Sequence, residues 1–100
     1  MSRNILNFYQ LLQEDFENSA ILIKIKNLNN LELYSYYKQA TIGDNTTLRP
    51  SLFNFKDRAK WNAWNNNKGL SKQIAQLIYI KLVHELLKKV LSKLYKRKLK

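Results

Sequence analysis

Apolar residues recur along this chain at helical spacing over most of its length. Ile5, Phe8, Leu12, Phe16 and Ala20 stand three or four positions apart, which makes one stripe on a helix running from about Asn4 to Ala20. Residues 21–27 alternate apolar and basic positions after Leu22 and resemble a short strand. No second strand exists for them to pair with, so they are read as a linker or a fraying helix end. From about Leu28 to Ile42 the pattern predicts a second helix with Leu33, Tyr37 and Ala40 on one side. Residues 57–67 predict a third, with Asp57 as its cap and Ala59, Ala63 and Trp64 near one face. A fourth starts at Lys72. Val83, Leu86, Leu87, Val90, Leu91 and Leu94 keep its period, and Lys81, His84, Glu85, Lys88 and Lys89 face away. Carried to Lys96, it would be about 37 Å long.

The breakers fall between these stretches. Gly43, Asp44, Asn45, Thr46, Thr47 and Pro50 make a loop by composition. Gly69 suits a helix end and Ser71 the cap of the next helix. The chain therefore reads as one all-α, four-helix domain over residues 1–100, with a basic helical extension from about residue 91.

Composition narrows the chemistry. Of 100 residues only two are glycine and one is proline, too few turn-formers for a sandwich or barrel. The lack of cysteine excludes disulfides, a thiol nucleophile and a zinc ribbon. One histidine and seven acids supply neither a metal site nor an acid/base pair, so no enzyme, cofactor or metal is expected. The longest apolar run, Ala20 to Ile23, is far short of the roughly 20 residues that span a bilayer. A start-of-chain signal is not evident, and a cytoplasmic location is expected.

The net charge of +11 is unevenly placed. Residues 1–37 carry three bases and four acids, residues 38–81 eight and two, and residues 82–100 seven and one. Anionic partners are favoured by the last two segments: nucleic acid, phosphorylated small molecules or an acidic membrane surface.

Two constellations can act on such a partner. Tyr34, Tyr37 and Lys38 share one helical face, where a ring can stack on a base and the hydroxyl and ammonium groups can bond a phosphate. The same tyrosines can equally well cover the core. Lys56 and Lys60 lie four apart at the start of the third helix, a repulsive pair that suits either a solvated face or a bridging anion. Of Trp61 and Trp64, one is expected in the core. Arg49 is read as pinning its loop, Arg58 as pointing away from the lysine pair and His84 as a surface residue. The tail from Lys88 to Lys100, with seven bases and no acid, is either a solubilising terminus or a basic amphipathic helix for an anionic membrane.

These residues also form a familiar series. Leu33 to Asp44, LYSYYKQATIGD, resembles the YxxYKQAT(V/I)GD signature of the acyl-CoA-binding protein family. Arg49-Pro50 and the stretch Phe55 to Trp64, FKDRAKWNAW, resemble its RPG and FKxxAKWxAW segments, and Lys68 to Lys72 followed by Ala75 and Tyr79 resembles its KGxSKExAxxxY continuation. The match runs over about residues 28–90 without gaps. Ser51 stands where the family usually has glycine, Asn62 and Asn65 to Asn67 replace commoner choices, and the first helix matches poorly.

The resemblance implies a four-helix, up-down-down-up bundle. It also implies a monomer that binds, transports and buffers long-chain fatty acyl-CoA thioesters without catalysis. Tyr34, Tyr37 and Lys38 would hold the adenine and the ribose 3′-phosphate, Lys56 and Lys60 would contact the nucleotide and its phosphates, and Tyr79 would complete the nucleotide site. On the first helix Lys24 is the candidate ligand lysine. The rival reading is a peripheral membrane or lipid-interacting protein acting through its basic C-terminal helix. Nucleic-acid binding ranks below both, because the bases are split between a mid-chain patch and a tail and no nucleic-acid motif accompanies them.

Overall fold

A computed structural model describes residues 2–26, 28 and 30–99, and the side chains of these except residues 2–6, 25 and 99. Four α-helices follow one another: α1 (Ser2–Lys26), α2 (Leu31–Thr41), α3 (Phe55–Asn65) and α4 (Lys72–Leu99). No strand occurs among the described residues. The helices form an all-α bundle in which α2 packs on α4 and α3, and α1 packs on α4.

The sharpest departure from the sequence reading is at residues 21–26. They continue α1 instead of forming a linker, and Ile23 is only 1% exposed. The alternation over Leu22 to Lys26 is a local coincidence inside a longer helical period. Asn27, where the predicted linker ended, lies outside the described residues, as does the side chain of Ile5. Along the predicted α1 stripe, Leu12 and Phe16 are buried and Ala20 half-buried, whereas Phe8 is exposed.

Two helix starts also differ. α2 begins at Leu31, with the Leu33 amide donating to the Asn30 side chain at 2.8 Å. α3 begins at Phe55 after Asn54; Asp57 is not its cap but lies in its first turn, accepting from the Asn54 side-chain amide at 2.8 Å. Ser71 does cap α4, accepting from the Ile74 amide at 3.1 Å.

The core joins Phe16 and Ile23 of α1, Leu33 and Ala40 of α2, and Ala75, Tyr79 and Val83 of α4. Buried amides stitch the ends of the helices. Gln39 is fully buried, and its side-chain NH₂ donates to Asp44 Oδ1 and to the Leu70 carbonyl, both at 2.8 Å. Asp44 Oδ1 also accepts from the Gly69 amide at 2.9 Å. Gly69 has φ +93°, a left-handed conformation that only glycine adopts without strain, and this presents its N–H to the carboxylate. Trp64, the buried tryptophan, donates to the Gly43 carbonyl at 2.8 Å and so fixes α3 against the end of α2. Asn45 is buried in the intervening loop, its side-chain oxygen accepting from the Thr47 amide at 2.9 Å.

The Asp44 bonds have a measurable consequence. The Gly69 N–H, then the Gln39 amide, hold the Asp44 carboxyl below its ordinary value of 3.8. A depressed folded-state pKa gives stability that is complete above the ordinary value and lost as pH falls through the lower folded one. Asp44→Asn is therefore expected to flatten the loss of thermal stability between neutral pH and pH values below 3.8, as measured by calorimetric Tm against pH.

Candidate functional site

A cavity of about 980 Å³ opens between the helices. From α1 it is lined by Gln13, Phe16, Glu17, Ala20, Ile21 and Lys24, which stand at i, i+3, i+4, i+7, i+8 and i+11 and so form one helical stripe. Asn30, just before α2, and Leu31, Leu33, Tyr34, Tyr37 and Thr41 of α2 supply a second wall. Lys60 of α3 and Tyr79 of α4 complete it.

Aromatic rings occupy the inner part. Phe16 and Tyr37 stack with centroids 5.7 Å apart, and Tyr79 meets Phe16 edge-on at 5.2 Å and Tyr37 at 6.0 Å. Tyr79 is 3% exposed and Tyr37 41%, so one is a floor and the other a rim. Burial pushes the Tyr79 hydroxyl up from its ordinary pKa, with Tyr37 adding to the shift; burial, then the Asp57 charge, does the same for Tyr34. Both phenols are thus neutral near pH 7 and can donate hydrogen bonds.

Two ammonium groups converge on Tyr34. Lys60 Nζ lies 5.4 Å from its ring centroid and Lys38 Nζ 6.0 Å; Lys38 also sits 5.0 Å from the Trp64 ring. Cation–π attraction at these distances orients the two ammonium groups without neutralising them. The cluster is a cationic, hydroxyl-bearing patch beside an apolar chamber. It can hold an anionic, planar head group and an attached hydrocarbon.

Of the residues singled out in the sequence, Tyr34, Tyr37, Lys60 and Tyr79 line the cavity together, and Lys38 reaches the same Tyr34 ring. Lys56 is exposed on α3, one turn before Lys60 and outside the lining. Arg58 donates to the Pro50 carbonyl at 3.2 Å, away from the site, and Arg49 Nη2 reaches Asn62 Oδ1 at 3.5 Å beside the Trp61 ring, pinning the loop as expected. His84 is exposed. Among the described residues, no cluster of three or more His, Cys, Asp or Glu is placed to hold a metal.

Lys24 also lines the cavity, as do Phe16, Ala20, Ile21 and Leu31, which the sequence alone did not assign to it. For the α1 residues the signal was the stripe from Gln13 to Lys24, legible only when α1 is carried through to Lys26.

A family model described as acyl CoA binding protein matches residues 6–83, more than half of the chain. The chain belongs to the acyl-CoA-binding protein family. The acyl-CoA-binding protein homolog 1 of Caenorhabditis elegans is 44% identical over 79 residues, 74% of this chain and 92% of that one. The acyl-CoA-binding protein of Saccharomyces cerevisiae is 55% identical over 62 residues, 62% of this chain and 71% of that one. The crystal structure of acyl-CoA-binding protein 2 from Oryza sativa superimposes with a TM-score of 0.75 at 45% identity, covering 81% of this chain and 96% of that one. The family match thus takes in α1 from residue 6 onward, α2, α3 and the part of α4 that carries Tyr79. It stops at residue 83, where the buried core of α4 also ends.

Proposed function

We propose that this protein binds long-chain fatty acyl-CoA thioesters and carries and buffers them in the cytoplasm, without catalysis. The observation that carries this reading is the Tyr34 ring, approached by two ammonium groups and set beside a mainly apolar cavity that all four helices line. Tyr34, Tyr37 and Lys38 hold the adenine and the ribose 3′-phosphate. Lys60 contacts the nucleotide phosphates, and Lys56 supports it from the rim one turn away. Tyr79 donates from the cavity floor, and Lys24 offers a further cation from α1. The hydrocarbon lies against Phe16, Ala20, Ile21 and Leu31. The cavity volume is at the upper end of the usual range for small-molecule sites.

Charge-assisted bonds to phosphate anchor the head, and burial of the tail sets chain-length preference. Titration calorimetry with acyl-CoAs of increasing length is expected to show affinity rising by up to about fourfold per CH₂ until the apolar walls are filled. An affinity that is flat with length, or no binding to any acyl-CoA, would refute the reading. The rival role, at a lipid surface through the basic tail, uses other residues and is compatible with this one.

A further inference from the structure

We propose that the last turns of α4, from Lys88 to Lys98, form a docking surface for an anionic lipid bilayer. This segment lies beyond the family match, which ends at residue 83, whereas α4 runs on to Leu99. It also leaves the body of the protein. Buried side chains on α4 stop at Val83, and Leu91, Leu94 and Tyr95 are 65%, 51% and 66% exposed. The Cα radius of gyration is 16.2 Å, against about 13 Å for a compact chain of this length.

The exposed residues are ordered. Leu91, Leu94 and Tyr95 continue the face begun by the half-buried Leu87 and Val90, at i, i+3, i+4, i+7 and i+8 from Leu87, which still packs against the core. Lys89, Lys93 and Lys96 occupy the opposite side, Lys88 and Arg97 border the apolar face, and Lys98 closes its far end. All six are exposed, and no acid follows Glu85. A basic amphipathic helix of this kind lies in the plane of a membrane interface, its apolar face among the acyl chains and its cations at the headgroups. The amphipathic ring of Tyr95 suits the boundary between the two.

Charge selects this occupant over others. A second copy of the chain would set one cationic tail against another. Nucleic acid would take up the cations and leave Leu91, Leu94 and Tyr95 in water. Only a surface that is anionic outside and apolar beneath satisfies both faces of the helix.

The test is co-sedimentation of the full chain with vesicles of phosphatidylcholine, with and without phosphatidylserine. Binding is expected with phosphatidylserine, and to weaken as salt is raised. A triple variant, Lys93→Gln, Lys96→Gln and Arg97→Gln, is expected to bind about a hundredfold more weakly, at about fivefold for each basic residue. A second triple variant, Leu91→Gln, Leu94→Gln and Tyr95→Gln, keeps good helix propensity and is expected to lose about tenfold or more through its apolar face. Both variants should still bind palmitoyl-CoA like the parent, since none of the six residues lines the cavity; this separates loss of docking from loss of the fold or of ligand binding. The proposal is overturned if the parent chain does not distinguish the two vesicle types. It is equally overturned if the apolar variant binds phosphatidylserine vesicles as well as the parent does, which is the result expected of a purely electrostatic surface such as one for nucleic acid.

Discussion

Replacing Lys60 by alanine is expected to weaken binding of palmitoyl-CoA by roughly 10- to 150-fold, the loss of one charge-assisted phosphate bond of about 1.5–3 kcal/mol. Lys60 is the lysine for which cavity lining and approach to Tyr34 coincide. Its side chain is exposed, so little of the fold depends on it, and the thermal unfolding temperature of Lys60→Ala should match that of the parent. Lys56→Ala is the internal comparison. It removes the same charge from the same face of α3 but one turn outside the lining, and should cost less affinity and show a stronger salt dependence. Calorimetry with both variants reads the difference directly. If Lys60→Ala binds as tightly as the parent, the head group does not sit at Tyr34 and the site assignment falls.

The converging lysines and tyrosines were legible because their signals are local. Tyr34, Tyr37 and Lys38 share a helical face whatever the bundle does, and Lys56 and Lys60 share another. The sequence could not place the two faces relative to each other. That depends on how α3 is fixed to α2, through the Trp64 hydrogen bond to the Gly43 carbonyl 21 residues earlier in the chain. The separation of Lys56 from the cavity is likewise a tertiary fact: a spacing of four sets a common face but not which turn meets the cleft. At Ser71 the capping signal was unambiguous. At α3 the predicted cap was Asp57, but the helix starts earlier, after Asn54, and Asp57 lies within the first turn. Beyond residue 90 the helical period of α4 was read correctly, but Leu91, Leu94 and Tyr95 stay exposed and do not belong to the core. Periodicity reports which residues share a side; it does not report whether another element faces that side.

Residues 21–26 are where the short-range reading failed, and Ile23→Ala tests the structure that replaced it. The side chain of Ile23 is 1% exposed and belongs to the same cluster as Phe16, Leu33, Ala75, Tyr79 and Val83. Truncating a buried isoleucine removes its transfer free energy and leaves a void that close-packed neighbours fill only in part, a cost of about 2–5 kcal/mol. A domain of this size has a total stability of about 5–15 kcal/mol and shifts its Tm by about 4–8 °C per kcal/mol, so a fall of about 10 °C or more is expected in calorimetry. The neighbouring positions sharpen the result. Leu22 is 40% exposed and its replacement by alanine should cost much less. Ile21 is 54% exposed but lines the cavity, so Ile21→Ala should lower acyl-CoA affinity while leaving Tm nearly unchanged. Three consecutive residues would then report three environments: chamber wall, solvent and core. A fraying end or linker predicts small and equal effects at all three, because none of them would have a fixed partner. A helix carried through to Lys26 requires them to differ, since successive side chains point about 100° apart around its axis. Equal effects at Ile21, Leu22 and Ile23 would remove the last two turns of α1, and with them the Lys24 wall of the binding cavity.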